Sequence, residues 1–204
     1  ASGKFPTLSE PYEGFHNLIF TEEFGPAAMI QRARKEGLRD FGACMAPTSA
    51  FHILQGIETL SVRMSRHVEN TRTITSFLLG QEQVTRVGYP ELDGHPDQAL
   101  AKELLPNGCG AVFSFDLAGG REAGIAFVDA LSVFSHLANI GDAKSLVIHP
   151  ASTTHHRMDA EALAAGGIGE GTIRLSIGLE DPKDLIADLT QGLRAAGKAA
   201  GGSR

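Results

Sequence analysis

The sequence has no tryptophan and only two cysteines among its 204 residues. Cys44 and Cys109 lie far apart and form neither a CxxC motif nor a Cys/His ligand spacing, so the sequence predicts neither a disulfide framework nor a zinc site. No apolar run approaches the roughly 20 residues that span a bilayer, and the first residues lack the charged and apolar regions of a signal peptide. We therefore expect a cytoplasmic protein with reduced thiols.

An excess of basic residues is also absent. The 18 Lys and Arg residues are outnumbered by 24 Asp and Glu residues, which gives a formal net charge of −6. Because the phosphates of nucleic acids require a basic patch, this balance argues against nucleic-acid binding. The hydrophobic share of 42% is sufficient for a folded core. The composition does not exclude a protein that acts on small molecules.

Several common site motifs are missing as well. His149, His155 and His156 do not follow a metal-binding spacing, and we interpret them as polar turn residues. The run Gly166-Gly-Ile-Gly-Glu-Gly171 lacks the GK[ST] ending of a phosphate loop and precedes a predicted strand instead of following one. We interpret it as a turn that uses positive φ angles or a close backbone approach. Cys109 has no sequence signal of a partner base, and no GxSxG motif is present.

One charged residue has a predictable position on a strand. In the segment TIRLSIGL, Ile173 and Leu175 alternate with Thr172, Arg174 and Ser176, which is the period-two pattern of a strand with one apolar and one polar face. Arg174 therefore points away from the core. A guanidinium on a rigid strand is suited to binding a carboxylate or phosphate through two parallel hydrogen bonds. The alternative is a solvated arginine on an exposed strand face.

A long amphipathic helix is predicted over 48–80, ending at Gly80, because apolar residues recur there at intervals of three and four. At 1.5 Å per residue it would reach on the order of 45–50 Å, so we expect it to link two domains. Arg63, Arg66 and His67 lie within about one turn of two glutamates. We interpret them as members of ion pairs on the helix surface.

After residue 80 the pattern alternates strands and helices. Four strands are predicted, at 84–89, 110–117, 145–149 and 173–179. The helix after the second strand is predicted to continue to Ala138. Because two of the strands keep one polar face, we expect helices to cover only one face of the sheet.

Three ordered motifs resemble a known family. They are Asn139-Ile-Gly-Asp, Ser145-Leu-Val-Ile-His-Pro-Ala-Ser-Thr-Thr-His155 and Ile173-Arg-Leu-Ser-Ile-Gly-Leu-Glu-Asp181. Together with Arg39-Asp-Phe-Gly-Ala43, Gln55-Gly-Ile-Glu-Thr-Leu60 and Arg63-Met-Ser-Arg-His67, they resemble the C-terminal part of the pyridoxal-phosphate-dependent enzymes of Cys/Met metabolism. The similarity is greatest to the O-acetylhomoserine sulfhydrylase branch.

The resemblance implies a fold that agrees with the residue pattern. It is an α/β (α+β-like) small domain with a mainly antiparallel four-stranded sheet and helices on one face, preceded by a long interdomain helix. This is the C-terminal domain of a fold-type I enzyme. Residues 1–47 would be an insertion and the end of the cofactor-binding domain, 48–80 the linking helix, and 81–204 the small domain.

The resemblance also implies a substrate site. Arg174 matches the arginine that grips the α-carboxylate of the substrate. Asn139, where many relatives have serine, would help hold that carboxylate or the wall of the pocket, and Thr154 matches a threonine close to it. None of the six lysines matches the family's Ser-x-x-Lys setting, Lys144 included. We therefore expect no catalytic, cofactor-binding or metal-binding residue in this chain, and expect pyridoxal phosphate to be bound by a preceding part of a larger protein.

The implied activity is that of a transferase in methionine and cysteine biosynthesis. The complete enzyme would form L-homocysteine from O-acetyl-L-homoserine and sulfide by γ-replacement, and would be a homo-oligomer, most simply a tetramer. Without the lysine, this chain alone is expected to be inactive. Cystathionine γ-synthase and γ-lyase are the alternatives within the family. An alternative of another class is a non-catalytic, detached small domain.

Overall fold

A computed structural model describes residues 4–201 of the chain. The chain divides into two units, with the boundary between Glu58 and Thr59. The first unit contains α1 (Pro6–Ser9), α2 (Phe20–Phe24), α3 (Ala28–Arg32), a π-helical segment (Ala33–Asp40) and α4 (Pro47–Glu58).

The first unit is organised by a row of aromatic rings. Tyr12 stacks on Phe15, with ring centroids 5.5 Å apart, and Phe15 meets Phe20 edge-on at 5.7 Å. The Arg32 guanidinium lies 4.3 Å from the centroid of the Tyr12 ring, within the range of a cation–π contact. Its Nε also donates to Glu36 at 2.7 Å. This irregular segment is therefore held by side-chain packing.

The second unit begins with α5 and contains the five strands of residues 4–201. Its elements are α5 (Leu60–Leu79), β1 (Val84–Gly88), α6 (Gln98–Leu104), β2 (Val112–Leu117), α7 (Gly120–Asp129), β3 (Ser135–His136), β4 (Leu146–Ile148), α8 (Ala160–Ala165), β5 (Thr172–Ser176) and α9 (Pro182–Gly201).

The single helix predicted over 48–80 is two helices, because Thr59 interrupts it. This residue has φ −102° and ψ 1°, outside the helical region. Its β-branched side chain also loses rotamer freedom in a helix. The linking role of the segment and the predicted domain boundaries remain predictions.

The α5 residues that we interpreted as surface ion pairs have different environments. Arg66 does pair with Glu69 at 3.3 Å. His67 is 2% exposed, and its Nδ1 lies 2.6 Å from the backbone carbonyl of Ile177. The surface interpretation of His67 is therefore wrong: the ring is a buried partner of the chain just after β5.

The five strands form one mixed sheet in the order β1-β2-β5-β4-β3. The pairs β1–β2, β2–β5 and β4–β5 are antiparallel, whereas β3 pairs with β4 in parallel. The predicted α/β class and the mainly antiparallel pairing are confirmed. The sheet has one strand more than predicted, and the additional parallel pair makes it mixed.

Helices cover the apolar face of the sheet, as predicted. Phe115 on β2 and Leu175 on β5 are fully buried in one hydrophobic cluster with α5, α7 and α9. Each of these helices contributes large buried side chains to it, among them Ile74, Phe127 and Leu189. The opposite face of β2 and β5 carries Ser114, Asp116, Thr172, Arg174 and Ser176, in agreement with the predicted alternation.

Strand β3, which the residue pattern did not predict, forms because the Asp188 carboxylate binds the turn before it. The helix predicted to continue to Ala138 ends at Asp129. Both oxygens of Asp188 on α9 accept hydrogen bonds from the turn that follows, from the amides of Ser132, Val133 and Phe134 and from the Ser132 hydroxyl, at 2.8–3.1 Å. Because these amides donate to Asp188, they cannot donate within a continued helix. The chain instead turns and pairs with β4.

The glycine-rich segment before β5 is a turn, as predicted. Gly167 has φ +72°. A Cβ at Gly171 would lie within 2.4 Å of the Leu117 carbonyl oxygen. The close approach of the two backbones therefore requires glycine at position 171.

Residues 4–201 lack two kinds of feature. No helix in this range is long and apolar enough to cross a membrane. No group of three or more His, Cys, Asp or Glu residues there could hold a metal ion.

Candidate functional site

Arg174 occupies the central strand of the sheet. It lies on β5, opposite Ser114 of β2 on one side and Ile148 of β4 on the other. The two neighbouring strands fix its backbone, and the side chain, on the polar face, is half-buried. Arg174 is therefore held more rigidly than an arginine on a loop or an edge strand.

The Arg174 guanidinium has no carboxylate partner among residues 4–201. Its one hydrogen bond runs from Nη2 to the backbone carbonyl of Asn139 and is long, at 3.5 Å. Other arginines of this unit do have carboxylates nearby; among them, Arg86 lies 3.7 Å from Asp116 and Arg121 lies 3.8 Å from Glu170. A half-buried guanidinium with unused donors offers a binding site for a planar anion such as a carboxylate.

Asn139 lies beside Arg174. Its side-chain Oδ1 accepts from the amide of Ile140 at 2.9 Å, so this oxygen is occupied within the turn. Its NH2 group has no acceptor within the described range, and the residue is exposed. The carbonyl of Asn139 is the group that meets Arg174. The turn therefore offers an amide donor in the same neighbourhood as the guanidinium.

A second contact holds the same turn against β5. The amide of Gly141 donates to Oγ of Ser176 at 3.3 Å, one pleat beyond Arg174 on the same face. Gly141 has φ +76°, which allows the chain to turn toward the strand. Arg174 and Asn139 thus lie on two segments that are hydrogen-bonded side by side. Their role in substrate binding remains a prediction.

Thr154 is not in direct contact with these two residues. It is exposed, and its Oγ1 lies 2.8 Å from Nδ1 of His155. No hydrogen bond joins it to Arg174 or Asn139 in the described chain. The predicted place of Thr154 at the pocket therefore also remains a prediction.

His149 corrects our interpretation of the histidines as polar turn residues. It is fully buried at the end of β4, with Nε2 2.7 Å from the Glu170 carbonyl and Nδ1 2.8 Å from Oγ of Ser152. A Cβ on Gly124 of α7 would lie 2.5 Å from its ring, so the glycine makes room for the imidazole. Burial lowers the pKa of His149, and the hydrogen bond to Glu170 only partly opposes this. The ring therefore stays neutral at pH 7 and joins β4 to the turn before β5.

A second cluster of ionisable groups surrounds Glu91. Arg72 donates to both of its oxygens, at 2.6 and 3.3 Å, and the amide of Cys109 and the Tyr89 hydroxyl donate to Oε1. Burial alone would raise the pKa of Glu91, but these hydrogen bonds outweigh it and the pKa is lowered. Burial, followed by the Glu91 charge, raises the pKa of the Cys109 thiol. Cys109 is therefore no activated nucleophile.

The Glu91 cluster borders a pocket of about 290 Å³ that is also lined by Lys102. The guanidinium and the carboxylate at its wall already neutralise each other. In the described range, the only other charged group that lines this pocket is the exposed amine of Lys102. The Arg174 guanidinium, by contrast, is half-buried and has no carboxylate partner among residues 4–201. We therefore take the Arg174 site as the candidate functional site.

The chain is similar to known proteins over most of its length. The family model described as Cys/Met metabolism PLP-dependent enzyme matches residues 17–194. An O-acetyl-L-homoserine sulfhydrylase of Thermus thermophilus is 47% identical over 191 residues, which cover 94% of this chain and 45% of that protein.

Two solved structures show the same fold. One, assigned as an O-acetylhomoserine (thiol)-lyase from Campylobacter jejuni and containing N'-pyridoxyl-lysine-5'-monophosphate, has a TM-score of 0.81 and 38% identity, covering 93% of this chain and 45% of that one. A cystathionine γ-synthase from Xanthomonas oryzae, in complex with cystathionine, has a TM-score of 0.71 and 44% identity, covering 78% and 41%. The chain thus spans less than half the length of the relatives it matches.

Proposed function

Because the chain belongs to the family of pyridoxal-phosphate-dependent enzymes of Cys/Met metabolism, we propose that its full-length protein is a sulfhydrylase. It forms L-homocysteine from O-acetyl-L-homoserine and sulfide by γ-replacement. The proposal is supported by the 47% identity to a sulfhydrylase and by one observation in the site. The guanidinium of Arg174 stands half-buried on the central strand without a carboxylate partner among residues 4–201, where an α-amino acid can supply one.

The residues of the chain are suited to holding the substrate. Arg174 offers two parallel N–H donors to the α-carboxylate, and Asn139 offers its amide NH2. Both groups are placed by the sheet and its attached turn, so the carboxylate is fixed without ordering a flexible loop. Fixing one end of the substrate orients the rest of it toward the cofactor.

Pyridoxal phosphate, when bound, supplies an electron sink for negative charge that develops on the amino acid. The described residues fit the carboxylate-binding part of such a site, and we propose that they do not include the cofactor-holding part. Lys102, Lys144, Lys183 and Lys198 are exposed, and no lysine hydrogen-bonds to Arg174 or Asn139 in the described range. We propose that the lysine that holds the cofactor lies in a part of the protein outside this sequence, and that this chain alone is inactive.

Cystathionine γ-synthase is the alternative, favoured by the 44% identity to the Xanthomonas structure. The two activities differ in the sulfur donor. We expect the full-length protein, incubated with O-acetyl-L-homoserine, to turn over faster with sulfide than with cysteine, and not to cleave methionine. Equal or greater turnover with cysteine would reject the sulfhydrylase assignment in favour of cystathionine synthesis.

We also propose that the full-length protein is a cytoplasmic homotetramer. The support for an assembly is the apolar face of α4, where Phe51, Leu54 and Ile57 are each 58–59% exposed. Such a face is normally covered by further protein. Light scattering at micromolar concentration is the test, and a monomeric full-length protein would contradict this proposal.

A further inference from the structure

The turn that carries Asn139 is one end of a longer segment attached to β5 and to the chain that follows it. We name residues 139–145 the Asn139 loop. Beyond the contacts of Asn139 and Gly141, the amide of Leu179 donates to the carbonyl of Ala143 at 2.9 Å. The loop then reaches Ser145, which is fully buried at the start of β4. The position of Asn139 therefore depends on how the far end of the loop is held.

A carboxylate closes the far end of the Asn139 loop. Oε1 of Glu180 accepts from the amide of Ser145 at 2.7 Å, and Oε2 accepts from its hydroxyl at 2.9 Å. The same hydroxyl oxygen accepts from the amide of Gly178 at 2.8 Å. Glu180 thus accepts from both donors of Ser145, and the hydroxyl oxygen of Ser145 in turn accepts from the chain after β5. We refer to these three hydrogen bonds as the Glu180 clasp.

The clasp has no space for an additional atom. A Cβ at position 178 would lie within 2.3 Å of Oε2 of Glu180 and 2.5 Å from both the Ala143 carbonyl oxygen and the Ser145 amide nitrogen. Two of these three contacts are with backbone, which cannot rotate away. Gly178 is therefore required for the loop and the strand to approach this closely.

Helix α5 fixes the clasp from the other side. The fully buried Asn70 donates through Nδ2 to the carbonyls of Gly178 and Glu180, at 3.0 and 2.9 Å. The backbone that bears the Glu180 carboxylate is thereby held against a helix of the core. The clasp transmits that rigidity to the Asn139 loop.

We infer that Glu180 and Ser145 are positioning residues of the Arg174 site: they hold the Asn139 loop in register with β5, and so place Asn139 beside the guanidinium for binding an α-carboxylate. This inference deepens the proposed function and rests on its carboxylate site. Both act away from the ligand, since Ser145 is the far end of the loop from Asn139 and Glu180 binds that end.

The test uses the full-length, cofactor-loaded protein and two ligands, L-norvaline and butylamine, which is norvaline without its α-carboxylate. Glu180→Ala removes both carboxylate acceptors, and with them two of the three hydrogen bonds of the clasp. We expect its Kd for norvaline to rise about 10-fold, equivalent to about 1.4 kcal/mol, and its Kd for butylamine to stay unchanged. Glu180→Gln keeps one acceptor and should give a smaller rise. The matched control is Asp184→Ala, an exposed carboxylate with no side-chain hydrogen bond or ion pair in the described chain, and it should leave both constants unchanged.

A double-mutant comparison separates positioning from a general structural role. If Glu180 acts through the Arg174 site, Glu180→Ala should add little to the loss in norvaline affinity that Arg174→Ala already causes. In the ligand-free protein, hydrogen exchange of the amides at 139–141 should be faster in Glu180→Ala than in the control. If Glu180→Ala does not fold, Ser145→Ala, which removes two of the three bonds of the clasp, is compared in the same way.

Equal weakening of both ligands, additive losses with Arg174→Ala, or unchanged exchange at 139–141 would each overturn the inference. The same measurements distinguish a failure of the proposed function from a failure of the positioning role. If Arg174→Ala weakens norvaline but the enzyme does not use sulfide, the proposed reaction is wrong and the positioning role stands. If Arg174→Ala leaves norvaline binding unchanged, the carboxylate site is wrong and the positioning role is overturned with it.

Discussion

Replacement of Arg174 tests the candidate site most directly. Loss of a charge-assisted bidentate contact costs about 2–5 kcal/mol when the partner is left desolvated. Because Arg174 is half-buried, water replaces part of the contact, and we expect the lower part of this range, about 2–3 kcal/mol. That corresponds to a fall of about 30- to 150-fold in kcat/KM for Arg174→Ala. Arg174→Lys keeps the charge but not the planar fork, and should lie between the wild type and the alanine variant.

The assay is steady-state turnover of O-acetyl-L-homoserine with sulfide by the full-length enzyme. Arg86→Ala is the matched control, since Arg86 lies on the same face of the sheet, on edge strand β1, beside Asp116. It should retain the wild-type kcat/KM. The unfolding free energy should change by less than about 0.5 kcal/mol in Arg174→Ala, because the side chain has no ion pair in residues 4–201 and one long hydrogen bond.

One outcome would contradict the role assigned to Arg174. If Arg174→Ala binds the cofactor normally and keeps near wild-type kcat/KM, Arg174 is a solvated residue of the strand face. The absence of a carboxylate partner in the described chain would then reflect exposure to water and not a vacant binding function.

Further predictions concern stability, measured by urea or thermal unfolding of the full-length protein. Asp188→Asn presents an amide to several backbone N–H donors and should lower the unfolding free energy by about 2–4 kcal/mol; a change below about 0.5 kcal/mol would contradict the role of Asp188 in the turn before β3. Gly171→Ala places a Cβ against the Leu117 carbonyl and should cost about 1–3 kcal/mol, whereas Gly80→Ala, with its nearest neighbour at 3.6 Å, should not. Because the folded-state pKa of His149 lies below its unfolded value, the unfolded state binds more protons, so stability should fall as the pH drops below about 6.5; His149→Gln should flatten that decline, and an unchanged slope would count against it.

The position of Arg174 could be predicted because strand alternation is a local property. The residues from Thr172 to Ile177 alternate in polarity, and the polar ones do share the face away from the helices. The turn at 166–171 could be predicted for a similar reason, because its run of glycines is a local sequence signal and Gly167 does adopt a positive φ of +72°. In both cases the signal lies within a few residues of the feature.

The features that the sequence did not predict depend on distant contacts. Strand β3 is two residues long and exists because Asp188, more than 50 positions later, binds the preceding turn. The burial of His67 depends on Ile177, 110 positions away. No periodicity within α5 distinguishes a histidine that faces water from one that meets a carbonyl of the opposite element. Such residues can be identified only once the sheet and helices are assembled.

The order of the strands constrains when the protein can fold. The central strand, β5, is the last of the five in the chain, and β2 and β4 both pair with it. Until residue 176 has left the ribosome, β1 can pair with β2 and β3 with β4, but the two pairs have no common partner. Each then presents an unpaired strand edge, which is a site for aggregation. Arg174 lies on the same strand that joins the two halves of the sheet. Closure of the sheet and placement of the guanidinium are therefore a single event.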